Sequence, residues 1–230
     1  MTLTALLVAC SAQAHDTPKI FLDPGHGASG NPGNESALCV SEQDAMLALA
    51  LKVEDRLLER GARVELARRE GELVSYDDRL EAAKTWDADV FVSLHSDVRA
   101  ASPEDEGCAS VDDGEGFSIL WGEDADDATL PGKRRDLARA IGTQMARSGF
   151  VPYRGDSYGT LYIEDEVVPG VFVDRHEPHQ RIKMLRRPVM PSVLVETHHA
   201  WVADEAELWT HPVVVVAFAD ALFEAVTQGR

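Results

Sequence analysis

Apolar runs bounded by turn residues alternate along this chain with apolar stripes at helical spacing. Ile20 to Leu22 give a short buried-strand signal, which Pro24-Gly25 stops abruptly. Ala28 to Val40, rich in Gly, Ser, Asn and Pro, reads as a surface loop. Ser41 is then a good N-cap, with Asp44 at the third helical position. The helix it opens runs to Arg60 with Met46, Ala50, Val53 and Leu57 on one stripe, and Gly61 stops it. Arg63 to Ala67 predicts a second strand and Tyr76 to Trp86 a second helix, with Leu80 and Ala83 on its inner side. Asp89 to Asp97 is a near-continuous apolar strand of the kind buried in a parallel sheet.

The second half is less regular. Phe117 to Trp121 predicts a strand between acidic loops that span 102–127, and Lys133 to Ser148 an amphipathic helix with Leu137, Ile141 and Met145 spaced by four. Ser157 to Arg187 holds only two apolar snippets, Thr160 to Ile163 and Val171 to Val173. Met190 to His199 is another buried strand, ending on Glu196, and helices over Asp204 to Trp209 and Val213 to Val226 close the chain. Strands alternating with helices predict a single α/β domain: a mostly parallel twisted sheet of about six strands with helices on both faces.

Length agrees with one domain, since 230 residues can bury a real core. Charge removes some partners. Against 22 Lys and Arg stand 40 Asp and Glu, a formal charge of -18 that repels nucleic-acid backbones and anionic lipid heads. Residues 1–14 read as an export signal rather than as fold, because the apolar run Leu3 to Ala9 is too short to span a bilayer and small residues follow it. Leu7-Val8-Ala9-Cys10 matches a lipobox, with Cys10 as the lipidated residue and only membrane anchor; Ala12-Gln13-Ala14 matches an ordinary cleavage site instead. Residues 15–18 form a short linker to a domain spanning 19–230. Either route predicts an exported protein, periplasmic or an outer-membrane lipoprotein, in an oxidising compartment. There Cys39 and Cys108 could pair; two free buried thiols are the alternative.

The candidate chemistry sits where the apolar runs end. His26 lies in a Gly-flanked turn after the first strand, His95 ends the third, Glu196 ends the last long one, and Glu42 occupies the first turn of the first helix. C-terminal strand ends are where open α/β sheets place ligands. Two histidines and one carboxylate with an open fourth position are a recurrent ligand set for catalytic zinc, which leaves the second carboxylate free to serve as general base and then general acid.

Asp23-Pro-Gly-His-Gly27, Glu42-Gln-Asp44, Ser93-Leu-His95 and Pro191-Ser-Val-Leu-Val-Glu196 resemble, in order and spacing, the zinc-dependent N-acetylmuramoyl-L-alanine amidases of bacterial cell walls, the amidase-3 type. The likeness extends through Gly61 to Arg68 and Asp77 to Arg79. It implies that His26, Glu42 and His95 hold one zinc ion, that Glu196 is the catalytic carboxylate, and that peptidoglycan or muropeptides are the substrate. The reaction implied is hydrolysis of the amide between the lactyl group of N-acetylmuramic acid and L-alanine.

The chain departs from that pattern in three places. Thr197-His198-His199 stands where the family usually has Gly-Phe and then Asn, Asp97 stands where it often has Asn, and 157–187 is longer than in its minimal catalytic domains. His198 and His199 could touch substrate, add a ligand or be structural. Because some relatives carry a helix there that an activator protein displaces from the zinc, 157–187 is expected to be either such a lid or a plain surface loop. The rival functions are a zinc carboxypeptidase, disfavoured because its usual H-x-x-E spacing would need Glu at Ser29, and a catalytically silent peptidoglycan-binding lipoprotein.

Overall fold

The computed structural model describes residues 17–99 and 108–228. The signal segment 1–14 with Cys10, and part of the acidic stretch after Ser102, lie outside these residues. In chain order the elements are β1 (Lys19–Pro24), α1 (Glu42–Glu59), β2 (Arg63–Leu66), α2 (Tyr76–Thr85), β3 (Val90–Asp97), β4 (Ser118–Trp121) and α3 (Leu130–Arg147). There follow β5 (Tyr162–Glu164), β6 (Val171–Asp174), α4 (Lys183–Arg186), β7 (Ser192–His199), α5 (Ala203–Leu208) and α6 (Pro212–Gln228).

The strands form one sheet in the order β2-β1-β3-β7-β4-β6-β5. β2, β1, β3 and β7 are parallel, β4 runs against β7, β6 is parallel to β4, and β5 folds back against β6. The sheet therefore has seven strands against about six expected. Alternation along each strand sends two sets of side chains to two faces. Ile20, Leu22, Val92, Leu94, Val193 and Val195 pack with Met46 and Val53 of α1, Ile141 of α3 and Phe218 of α6. On the other face Phe21 and Phe91 meet Ala83 of α2 and Met184 of α4, and Leu120, Phe172 and Leu194 meet Leu185. Burial on both faces explains why these strands read as continuous apolar runs.

Two expectations change. α3 begins at Leu130, ahead of Lys133, because Pro131 in its first turn has no N–H to leave unsatisfied there. Residues 157–187 are more than a plain loop: they supply β5, the fully buried β6 and α4, whose Met184 and Leu185 are in the core. A segment that contributes buried strand residues is bound into the sheet. Among the described residues no helix is long and apolar enough to cross a membrane.

Candidate active site

The turn after β1 is built by two buried arginines. His26 has φ 58° and Gly27 φ 69°, and left-handed backbone is unusual for a residue with a Cβ. Arg79 is fully buried on α2; its Nη1 donates to Asp23 Oδ1 at 2.9 Å and to the Pro24 carbonyl at 3.1 Å, and its Nη2 to the His26 carbonyl at 2.5 Å. Arg68 donates through Nε to the Pro24 carbonyl and through Nη2 to those of Gly25 and Gln43. Three successive carbonyls are thereby held by charge-assisted bonds, and Asp23, which also accepts from Ser93 Oγ at 2.7 Å, neutralises Arg79. A Cβ on Gly27 would stand 2.7 Å from Arg68 Cζ, so the turn closes only with glycine.

Glu42 is the first residue of α1, behind Ser41, whose Oγ accepts from the Asp44 N–H. Its carboxylate is buried between the two imidazoles: Oε2 lies 3.0 Å from His26 Nε2, and Oε1 lies 2.9 Å from His95 Nδ1. Asn34 Nδ2 donates to Oε2 at 2.8 Å and the Ser96 N–H to Oε1 at 3.1 Å. The two rings meet edge-on with centroids 4.9 Å apart. One donor atom from each of His26, Glu42 and His95 lies within 4.8 Å of the others. His26 Nδ1 is 2.9 Å from Asn31 Oδ1, whose amide is anchored on Tyr76 Oη, which leaves Nε2 to face Glu42.

The electrostatics follow. Burial opposes charge on Glu42, yet the hydrogen bonds and charges of both histidines outweigh it and hold the carboxyl well below the usual range. Burial likewise opposes charge on His26, and Glu42, with smaller help from Asn31 and Asp23, raises its pKa.

Glu196 stands beside this group on the next strand, since its register partner on β3 is His95. On its other side it pairs with Ser118 of antiparallel β4. Its Oε2 is buried with no hydrogen-bond partner among the described residues. Desolvation raises its pKa well above the ordinary carboxylate value; nearby Asp97 and Glu42 add to this and Arg99 works against it. Asp97 accepts from Tyr158 Oη at 2.6 Å and Arg99 Nε at 3.0 Å, and Ser118 Oγ lies 2.6 Å from Tyr158 Oη. The 157–187 segment thus delivers Tyr158 to the wall beside Glu196.

The structure brings His26, Glu42, His95 and Glu196 together. It takes His198 and His199 elsewhere. β7 continues past Glu196 to His199, and a register irregularity between His95 and Asp97 displaces both histidines from simple alternation. His198 stacks on Trp209 with centroids 5.9 Å apart, and His199 Nδ1 accepts from the Trp201 N–H. Neither joins the donor cluster. The roles of Arg68 and Arg79 escaped the sequence reading; an Asp immediately before Pro-Gly-His, needing a buried cation, was the available signal. Glu35, Cys39 and Cys108 form a second group of donor atoms, but the two cysteines are joined as a disulfide with Cα atoms 5.3 Å apart.

The sporulation-specific N-acetylmuramoyl-L-alanine amidase of Bacillus subtilis (strain 168) is 38% identical over 77 residues, which are 34% of this chain and 30% of that protein. The match thus spans less than a third of that relative's length. The N-acetylmuramyl-L-alanine amidase Ami1 from Mycobacterium smegmatis superposes with a TM-score of 0.68 at 23% identity, over 92% of this chain and 96% of that one. The catalytic domain of CwlV, from Bacillus(Paenibacillus) polymyxa var. colistinus, gives 0.66 at 20% identity, over 92% and 97%. At such identities these two likenesses establish the fold. The family model Amidase_3, described as N-acetylmuramoyl-L-alanine amidase, matches residues 20–228, from β1 to the end of α6, and on that match the chain belongs to the Amidase_3 family.

Proposed function

We propose that this protein is a zinc-dependent N-acetylmuramoyl-L-alanine amidase, which hydrolyses the amide joining the lactyl group of N-acetylmuramic acid to L-alanine in peptidoglycan. The observation that carries this reading is the convergence of His26 Nε2, Glu42 and His95 Nδ1, with Glu196 opposite His95 on the adjoining strand. The donor set suits zinc: two ring nitrogens, one ionised carboxylate, and glycines around them where side chains would intrude. A Cβ on Gly25 would lie 2.5 Å from the His95 ring, and one on Gly33 2.5 Å from Glu42 Oε2. When bound, zinc would polarise the scissile carbonyl and acidify water.

The protein's own groups account for the proton traffic. Glu196, raised in pKa and with Oε2 unpartnered, takes the proton of the attacking water and returns it to the leaving nitrogen of L-alanine. Asn31 fixes the tautomer of His26, and Asn34 orients Glu42. The Arg68 and Arg79 brackets keep the His26 turn from relaxing. The Cys39–Cys108 disulfide supports the reading that the protein is exported, by either the lipobox at Cys10 or the ordinary cleavage site after Ala14.

Zinc content and the release of alanine amino termini from purified peptidoglycan test the proposal together. Wild type is expected to bind about one zinc and free termini. Glu196→Gln should keep the zinc and lose at least ~100-fold in turnover, and His95→Ala should lose both. Unchanged turnover in Glu196→Gln, or a wild type that binds zinc and frees no termini, would overturn the assignment.

A further inference from the structure

A second cavity, of about 370 Å3, lies on the opposite face of the sheet from Glu196. It opens between the first half of α1, the loop around Leu38 and Val40, and α5 with Trp209. Its walls are mostly apolar: Ala45, Met46, Leu49, Ala206 and Trp209 line it, and the exposed Leu38 and Val40 stand among its outer residues. Polar side chains border it as well, among them Glu42, Asp44 and Lys52, and two of them, Ser96 and His198, are nearly closed to solvent, at 4% and 5% exposure.

The hydrogen bonding of these two is incomplete in a way that defines a ligand. Thr197 Oγ1 donates its single proton to the His95 carbonyl at 2.9 Å, so toward His198 Nδ1, also at 2.9 Å, it can only accept. His198 therefore carries its proton on Nδ1, and Nε2 is a bare acceptor. Among the described residues nothing donates to Nε2, and Ser96 Oγ has no partner either. The ring stays neutral, because burial and then the nearby Arg99 hold its pKa down at about 3. Both atoms open onto the cavity, whose largely apolar walls give water few places to bond. Two carboxylates, Glu42 and Asp44, border the cavity against one cation, Lys52, a balance that favours a neutral ligand over an anion.

We propose that this cavity is a binding site for a small neutral aliphatic alcohol, whose carbon chain lies against the α1 and Trp209 walls and whose hydroxyl donates to His198 Nε2. It shares the backing residue Glu42 with the candidate metal centre but opens on the other face of the sheet from Glu196: Ser96 alternates with His95 and so shares the α1 face with Leu94. Its logic does not depend on the amidase reading.

Chemical-shift titration of the full chain with 1-hexanol, and with its isomer 1-methoxypentane, decides the matter. The ether matches the alcohol in size and lacks the donor. Saturable binding of 1-hexanol is expected, with the ether about tenfold weaker, the factor one buried hydrogen bond supplies. His198→Phe keeps the stacking on Trp209 and should make the two probes equal. Ala48→Phe, on the exposed side of α1 at the cavity, should abolish binding of both. No saturable 1-hexanol binding, equal affinities in wild type, or undiminished binding in Ala48→Phe would each overturn the site. Should His198→Phe not fold, the ether comparison and Ala48→Phe still decide.

Discussion

His26 keeps a backbone conformation that costs of order 1 kcal/mol or more for a residue with a side chain, and it persists because Arg79 and Arg68 grip the surrounding carbonyls. The histidine was legible in the sequence because Gly-His-Gly follows an apolar run directly. Its supports were not, since Arg79 binds carbonyls 53 and 55 residues away and periodicity reports nothing at that range. His198 gives the residue scale its own prediction. In the native state it remains neutral down to about pH 3, while in the unfolded chain it takes a proton near 6.5. Its folded pKa is the lower one, so its contribution is intact above 6.5 and is lost as pH falls from there toward 3, at up to ~1.4 kcal/mol per pH unit. Urea midpoints between pH 7 and 5 should therefore fall more steeply for wild type than for His198→Phe. Equal slopes would mean that native His198 can protonate freely.

Among the elements, α1 has the most to do with the site, because its first residue is Glu42. The N-cap and stripe that announce it, Ser41 with Asp44 and Met46 to Leu57, are local features, and local features survive in a sequence. Strand direction is different: Phe117 to Trp121 looks the same whether β4 runs with β7 or against it, and only the partner strand decides. The turn of β7 beyond Glu196 was hidden for a similar reason. Thr197-His198-His199 reads as polar residues after a strand, whereas the irregular register carries the strand on and sends His198 toward Trp209. For α1 the expectation is that Ser41→Ala lowers stability by about 1 kcal/mol and also weakens zinc binding, since the cap fixes the helix end that bears Glu42. Chemical denaturation and competition with a chelator measure the two effects. Zinc affinity unchanged alongside the stability loss would show that Glu42 is held by Asn34 and the histidines alone.

For the whole molecule, the disulfide ties the loop before α1 to the chain beyond β3, across a sequence separation of 69 residues. Two cysteines at that distance announce nothing by themselves; the sequence only posed the question, and the fold answers it by bringing their Cα atoms together. Closing so long a loop in the unfolded chain stabilises the native state by about 4 kcal/mol in the chain-entropy description. Adding a reductant, or substituting Cys39→Ser with Cys108→Ser, should lower the urea midpoint accordingly, and an unchanged midpoint would mean that the bond does not form in solution.

The pairing of β3 with β7 also fixes when the site can exist. β7 enters at Ser192, and Thr197 bonds the His95 carbonyl from 102 residues further along the chain. Contacts that distant must close most of the domain before they return any stability, so they form late. His26, Glu42 and His95 emerge early from synthesis, and the carboxylate that faces them arrives only with the last sixth of the chain. A partly made or truncated chain can present its three candidate ligands but not the fourth group, and so lacks the complete candidate site until the last central strand has docked.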